Sequence, residues 1–194
     1  MFGFLRGWLR RRPWSELDHW ALDLETTGLD PKQDEILSCG MVPIRHGAIH
    51  WGERVYHRIR PRGDGTSDAI AIHGLLPDEA PDAISLAELV QDLHQRLEGC
   101  ALVLHWARLD LTLLRQAFRH HHTPWPNPTV YDTAHLLSQL DRRRNLIEPH
   151  AQPLPTQLAQ ARQALGLPPH PEHHALTDAL ATAELYLALR GRLE

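Results

Sequence analysis

The sequence predicts one α/β domain built on a mixed β-sheet with helices around it. Short apolar stretches, typical of buried strands, first follow one another closely and later alternate with helix-like stretches. Strands close together indicate hairpins, whereas strands separated by helices indicate parallel crossovers. The 194 residues suit one domain with a substantial core, and the 42% of hydrophobic residues exclude a disordered chain.

The elements can be assigned in chain order. The first part of the chain is predicted to hold a buried strand at 19–25, two strands within 35–59 that join near His46 and Gly47, and a helix within 82–98. The second part is predicted to hold a strand at 100–105, a helix at 110–121, a strand at 129–133, a helix through Leu140, a proline-broken connection at 141–155, a helix at 156–166 and a last helix at 175–189.

Charge and cysteine content restrict the function classes. The formal net charge is −4, which gives no support to bulk attraction to nucleic acid, and Lys32 is the one lysine among the 20 basic residues. Cys39 and Cys100 sit beside apolar residues without metal-type spacing, so we expect reduced core thiols and a cytoplasmic location. No apolar run approaches the length of a membrane-spanning helix.

The first residues form a distinct arm, which we place at 1–18. Residues 1–12, "MFGFLRGWLRRR", carry four arginines and no acid, and the charge lies at the wrong end for a secretory signal. On a helix, the apolar residues of this stretch would share one side and could contact a membrane surface or a partner protein. The alternative is a helix that packs on its own domain, or a frayed terminus.

Two carboxylates stand side by side in the apolar stretch "ALDLETTGLD". On a strand, Asp23 and Glu25 point to one face, roughly 6–7 Å apart along the backbone, while Leu22 and Leu24 point to the other. Both acids would emerge near the strand end, where Gly28 turns the chain. Oxygen ligands in this arrangement can hold a divalent cation, although an exposed polar strand face is the common alternative.

Two more acids stand out from apolar surroundings at predicted helix starts. Asp110 follows the strand at 100–105, and Asp178 is the one charged residue in "ALTDALATA", with His173 five residues before it. Each acid alone could be explained by a favourable position at a helix N-terminus. Four carboxylates gathered at one sheet edge, however, require compensating cations, and two divalent ions would also make phosphoryl chemistry possible.

These residues match the motifs of a known family. The chain resembles the 3′–5′ exonucleases of the DEDDh group, which includes the proofreading subunit of DNA polymerase III (epsilon) and ribonuclease T. Its "LDLETTGLD" resembles the first family motif, "HWARLD" loosely resembles the second, and "HHALTDA" resembles the third. "AIHGLL" at 71–76 and "YDT" at 131–133 are lesser matches.

The resemblance implies a ribonuclease H-like fold, with a five-stranded mixed sheet and helices on both sides, over an exonuclease domain at 19–194. Trp106 stands where the family usually has Asn, and Leu109 where it usually has Phe, so the wall on the substrate side is expected to differ. Because the chain ends soon after the last helix, we expect a free-standing enzyme rather than a polymerase subunit.

The resemblance also implies a mechanism. Asp23, Glu25, Asp110 and Asp178 would hold two Mg²⁺ or Mn²⁺ ions, and His173 would be the general base that activates water. Single-stranded DNA would be shortened from its 3′ end to nucleoside 5′-monophosphates. The residues expected to bind substrate are Thr26, Thr27, Leu29, His73 and His105.

Several alternatives stay open from the sequence alone. The substrate could be RNA or short oligonucleotides, or the fold could serve as a non-catalytic module that binds nucleic acid or a partner. A histidine-rich zinc protein is a third alternative, but the spacing of the 15 histidines fits no standard zinc pattern. His120–His122 is better explained as a cationic helix end, and Arg142–Arg144 as a solvated charge run rather than a phosphate contact.

Overall fold

The computed structural model describes residues 14–60 and 82–194. Two sequence predictions therefore lie outside the described residues: the membrane or partner contact of residues 1–12, and His73 with its segment 71–76. The described end of the predicted arm packs on the domain, because the Trp14 ring contacts Tyr186 edge to face with 5.8 Å between centroids.

The described residues form one mixed sheet of six strands. The strands are β1 (His19–Thr26), β2 (Ile36–Arg45), β3 (Ala48–Ile49), β4 (Val55–Arg58), β5 (Ala101–Leu104) and β6 (Thr129–Asp132). Their order is β3-β2-β1-β5-β6, with β4 also paired to β2. Strands β5 and β6 run parallel to β1, whereas β2 runs antiparallel to it.

The predicted return strand of the first hairpin is split in two. Strand β3 pairs with the end of β2 at Ile44 and Arg45, and β4 pairs with Ser38–Met41 of the same strand. A short 3₁₀ turn at Trp51–Glu53 separates them. Because β1 occupies the other edge of β2, β3 and β4 share one position, and the sheet has the five positions expected of a ribonuclease H-like fold.

Helices cover both faces of the sheet. The described helices are α1 (Leu86–Leu97), α2 (Arg108–His120), α3 (Thr133–Ile147), α4 (Leu158–Ala164) and α5 (Ala175–Leu193). Leu22 and Leu24 pack with α1 and α2 on one face, and Ala21 packs with α3 and α5 on the other. The alternation along β1 therefore turns Asp23 and Glu25 toward the α5 side.

Two helices are longer than the sequence predicted. Helix α3 continues seven residues past Leu140 to Ile147, because no helix breaker occurs before Pro149. Helix α5 continues past Leu189 to Leu193, where Arg190 packs over the rings of Trp14 and Tyr186. The sequence prediction treated the charged run at 141–147 as part of the connection. Arginine is a good helix former on an exposed surface, so Arg142–Arg144 continue the helix instead.

Both cysteines are free thiols, as predicted, and Cys39 is buried while Cys100 is half-buried. Across residues 14–60 and 82–194, no helix has both the length and the apolar composition needed to cross a membrane.

Candidate active site

The first two carboxylates lie at the end of β1. Asp23 pairs with Gly40 of β2, and Glu25 pairs with Ser38 just before the pairing becomes irregular at Thr26. Both side chains are half-buried on the face that α5 covers. The strand geometry expected from the sequence therefore places two acids beneath the start of α5.

A tight turn follows the acids. The Thr26 hydroxyl donates to the Gly28 carbonyl at 2.7 Å, and the Thr27 hydroxyl donates to Asp34 Oδ1 at 2.8 Å. A Cβ atom at Gly28 would lie 2.6 Å from Asp34 Oδ2, so a larger residue would displace the Asp34 carboxylate that accepts from Thr27. The threonine hydroxyls thus build the turn, and the side chain of Leu29 stands 83% exposed at its tip.

The third carboxylate enters from the first turn of α5. Asp178 Oδ1 accepts a hydrogen bond from His170 Nε2 at 2.9 Å. Its Oδ2 accepts from the backbone N–H of His173 at 2.9 Å and of His174 at 3.3 Å. The loop that precedes α5 therefore fixes the orientation of this carboxylate.

Asp23, Glu25 and Asp178 form a compact acid cluster, with one carboxylate oxygen from each lying within 4.8 Å of the others. Burial raises the pKa of Asp23 well above its usual range, and the nearby charges of Asp110, Asp178 and Glu25 raise it further. Such a concentration of negative charge together with an all-oxygen donor set fits a hard divalent cation. Across the described residues, this is the one group of three or more His, Cys, Asp or Glu with that spacing.

Asp110 adds a fourth negative charge. It is the third residue of α2 and only 8% exposed. Burial raises its pKa to about 7, and the charges of Asp132 and Glu25 contribute in the same direction. Asp110 is outside the 4.8 Å group, but it is near enough to Asp23 to raise the pKa of that residue.

Asp132 holds the segment between β5 and α2. Its carboxylate accepts from the backbone N–H groups of Trp106 and Ala107, each at 3.1 Å, and from Ala134 N–H at 2.9 Å at the start of α3. This strand-end acid therefore orients the approach to Asp110. The sequence singled out "YDT" without assigning it that role.

His105 is fixed at both ring nitrogens. Nε2 is 2.9 Å from the Thr156 carbonyl, and Nδ1 is 2.7 Å from the Thr133 hydroxyl. Because a carbonyl only accepts, Nε2 carries the proton of the neutral ring. Burial lowers the pKa of His105, which also favours the neutral form.

A cavity of about 190 Å³ joins these parts. It brings together four predicted residues, which are Asp23, His105, His173 and Asp178. Its wall also includes three residues that the sequence reasoning missed, namely Leu158, His170 and Glu172. Of these, His170 carried a signal, because it lies three residues before His173 in the proline-rich loop that leads to Asp178.

His173, the predicted general base, has an exposed side chain on this cavity wall. Its backbone is in the left-handed region, with φ of 65°, a conformation that is uncommon for residues other than glycine. The N–H bond to Asp178 supports this conformation. The local backbone thus ties the position of the histidine to that of the carboxylate.

The arginines at 142–144 lie away from the acids. Helix α3 begins beside His105 at Thr133, so these residues are roughly 14–17 Å further along its axis. Arg143 donates to the Leu193 carbonyl, and Arg144 donates to Asp141 at 3.1 Å. A structural role for this charge run fits these contacts better than a phosphate contact.

A larger cavity, of about 350 Å³, lies between the 31–36 segment, Arg60 and α2. None of the four acids lines it. The candidate site lies instead at the smaller cavity, which Asp23 and Asp178 line.

The comparison with known families decides the class of the protein. The family model RNase_T, described as "Exonuclease", matches residues 20–186. The chain belongs to this family. The match confirms the prediction of a DEDD-type 3′–5′ exonuclease domain with a ribonuclease H-like fold. The family depends on divalent metal ions and acts on nucleic acid.

The similar proteins include two named for DNA polymerase III and a ribonuclease. A DNA polymerase III subunit epsilon-like protein of Rhodobacter capsulatus is 32% identical over 96% of this chain, which covers 25% of that protein. The PolC-type DNA polymerase III of Thermotoga petrophila is 30% identical over 86% of this chain, or 11% of that protein. Ribonuclease T of Buchnera aphidicola is 28% identical over 89% of this chain and 82% of that protein.

Solved structures agree on the fold. Exonuclease I from Methylocaldum szegediense matches with a TM-score of 0.71 and 21% identity, covering 91% of this chain and 41% of that one. E. coli exonuclease I in complex with a dA16 oligonucleotide matches with a TM-score of 0.70 and 18% identity, with the same coverage. This chain thus spans less than half the length of these proteins.

Proposed function

We propose that this domain hydrolyses single-stranded DNA from its 3′ end and releases nucleoside 5′-monophosphates. The observation that carries the proposal is the meeting of the Asp23, Glu25 and Asp178 carboxylates within 4.8 Å. Such a cluster is unfavourable by itself and becomes favourable when cations bind to it. Membership of the exonuclease family gives the class of reaction.

Asp23, Glu25, Asp110 and Asp178 would hold two Mg²⁺ or Mn²⁺ ions. When bound, these ions would stabilise the charge that develops on the phosphate and on the leaving 3′ oxygen. Asp23 lies near all three other acids, because each of their charges raises its pKa. The hydrogen bond from His170 would keep Asp178 turned toward the cavity.

His173 would take a proton from the attacking water at a ring nitrogen. Its exposed side chain on the cavity wall, beside Asp23 and Asp178, supports this role. Histidine is the side chain most often used as a general base near neutral pH.

Leu29 and His105 would contact the substrate on either side of the acids. Leu29 projects from the turn that follows Glu25, and His105 lines the cavity. Thr26 and Thr27 would contribute mainly through the turn, because their hydroxyls are already engaged in it. His73 remains a sequence prediction.

An RNA substrate is the second candidate. The observation that favours it is the similarity to a ribonuclease T over 82% of that protein's length. The DNA polymerase III relatives and the oligonucleotide complex of exonuclease I favour DNA. Contacts to a 2′-hydroxyl would separate the two substrates.

The test is digestion of a 5′-labelled single-stranded DNA and the matching RNA, with Mg²⁺, Mn²⁺ or EDTA. We expect a metal-dependent ladder that shortens from the 3′ end with wild type and disappears with Asp23→Ala. The exposed Glu98→Gln, outside the cluster, is the matched control and should digest like wild type. Folded protein that digests neither strand with metal supplied would contradict the proposal and favour a binding module.

A further inference from the structure

Trp106 is an exposed aromatic residue held in one position. Its side chain is 57% exposed, although it follows the fully buried strand β5. Its backbone has a φ of 56°, which is rare for a residue with a bulky side chain. Two hydrogen bonds stabilise it: the backbone N–H donates to Asp132 at 3.1 Å, and the indole Nε1–H donates to the Thr156 carbonyl at 3.0 Å.

The indole lies directly beside the acid cavity. The Thr156 carbonyl that accepts from Trp106 also accepts from His105 Nε2 at 2.9 Å. The two rings meet edge to face, with centroids 6.4 Å apart and an angle of 81° between their planes. Trp106 does not itself line the cavity, but its neighbour His105 lines it with Asp23 and Asp178, so the exposed indole stands next to the cavity wall.

An exposed indole that is already immobilised is well suited to stacking. A flat aromatic ligand would bury its apolar surface at little further cost in side-chain entropy. The ligand that reaches this surface must also be compatible with a neighbouring cluster of carboxylates that requires cations. A strand of nucleic acid meets both conditions, because its phosphates bind cations while its bases stack on aromatic rings.

We propose that Trp106 is a stacking surface for a nucleobase near the 3′ end of the substrate strand. This inference rests on the proposed function and identifies one determinant of substrate binding. Because every base has an aromatic face, the contact would bind single-stranded ends with little preference for sequence. The contact would also act on binding more than on the chemical step.

The test measures binding of two 5′-fluorescein-labelled single-stranded DNAs by fluorescence anisotropy with Mg²⁺ present. One oligonucleotide is complete, and the other is abasic at its last two 3′ positions. All proteins carry His173→Gln to suppress cleavage, and Trp106→Ala and Trp106→Phe are compared in this background. Trp51→Ala is the matched control, because Trp51 is also exposed but lies on the 3₁₀ turn between β3 and β4 rather than next to His105.

We expect Trp106→Ala to weaken binding of the complete strand by about 5- to 100-fold, the loss typical of one aromatic stack. The abasic strand should bind equally to the Trp106→Ala protein and to the protein that keeps Trp106. On the complete strand, Trp106→Phe should retain most of the affinity and Trp51→Ala should retain all of it. Equal losses on the two strands, or no loss on either, would overturn the stacking role while leaving the exonuclease proposal intact. Binding of neither strand by the Trp106-containing protein would overturn the proposed function and this inference with it.

Discussion

Gly40 on β2 contacts Ala175, the first residue of α5, so closely that a Cβ atom at position 40 would lie 2.3 Å from the Ala175 carbonyl carbon and oxygen. Gly40 is also the residue of β2 that pairs with Asp23. The missing side chain therefore allows the start of α5 to approach the strand that carries the acids. Asp178 reaches Asp23 and Glu25 because of this approach.

Gly40→Ala is expected to move the start of α5 away from β1. The new Cβ atom meets backbone rather than a flexible side chain, so the helix or the strand must shift, at a cost of about 1–3 kcal/mol or more in the free energy of unfolding. Separation of the acids should also remove most of the nuclease activity. Urea denaturation and the digestion assay measure the two effects.

Gly52→Ala is the matched control, since a Cβ atom there would meet nothing within 4 Å among the described residues. It should keep the stability and activity of wild type. A stable, fully active Gly40→Ala protein would show that the close approach of α5 is unnecessary for the site.

Asp110→Asn should stabilise the metal-free protein at high pH. The folded-state pKa of about 7 lies above the unfolded value of about 4, so ionisation of Asp110 costs stability progressively as the pH rises from 4 to 7 and fully above 7. Removing the charge should raise the free energy of unfolding at pH 8 by on the order of 2 kcal/mol, with little change at pH 4.5. Urea denaturation in EDTA at both pH values measures the difference.

The same comparison removes the contribution of the buried histidines, while the interaction of Asp110 with Asp23 stays in the difference because the Asp110 charge also raises the pKa of Asp23. His19 and His105 have lowered pKa values, mainly through burial, and their contribution is lost as the pH falls below about 6.5. This effect is shared by wild type and Asp110→Asn, so it cancels in the difference. A difference that is independent of pH would refute the assignment of a raised pKa to Asp110.

Divalent cations should stabilise the folded protein. A ligand that binds only the folded state adds about 2.7 kcal/mol to the free energy of unfolding at a concentration 100 times its Kd. The melting temperature in Mg²⁺ should therefore be higher than the melting temperature in EDTA. Asp23→Asn should abolish most of this rise, because Asp23 belongs to the cluster and interacts with each of the other three acids. Glu98→Gln should show the full rise, and a full rise in Asp23→Asn would place the cation elsewhere.

His170 and His173 should act on different steps. Loss of the hydrogen bond from His170 to Asp178 in His170→Ala should raise the Mg²⁺ concentration for half-maximal rate by about 10- to 100-fold. His170→Gln, whose side-chain amide can still donate to Asp178, should require a Mg²⁺ concentration between those of wild type and His170→Ala. His173→Gln should lower kcat by about 10²- to 10⁴-fold with an unchanged Mg²⁺ requirement.

Measurement of rate against Mg²⁺ concentration separates these roles. The assignment of His170 as a positioning residue would be wrong if His170→Ala lowered kcat alone. The assignment of His173 as the base would be wrong if its loss were corrected by additional Mg²⁺.

Much of this site could be inferred from sequence because its signals are local. Asp23 and Glu25 share a face because strand side chains alternate, and Asp110 and Asp178 stand out because their neighbours are apolar. The strands and most of the helices were likewise predicted from periodicity. Helix ends were predicted less well, since the ends of α3 and α5 depend on exposed helix formers and on contacts such as Arg190 with Trp14.

The class of fold, the order of its elements and the residue types that could hold cations follow from the sequence alone. The contacts between these groups appear only in the folded chain: Gly40 with Ala175, His170 with Asp178, and the shared Thr156 carbonyl with His105 and Trp106. Side-chain periodicity is set by neighbouring residues, so it can be recognised locally. Close packing and hydrogen bonding, in contrast, join residues that only the folded chain brings together.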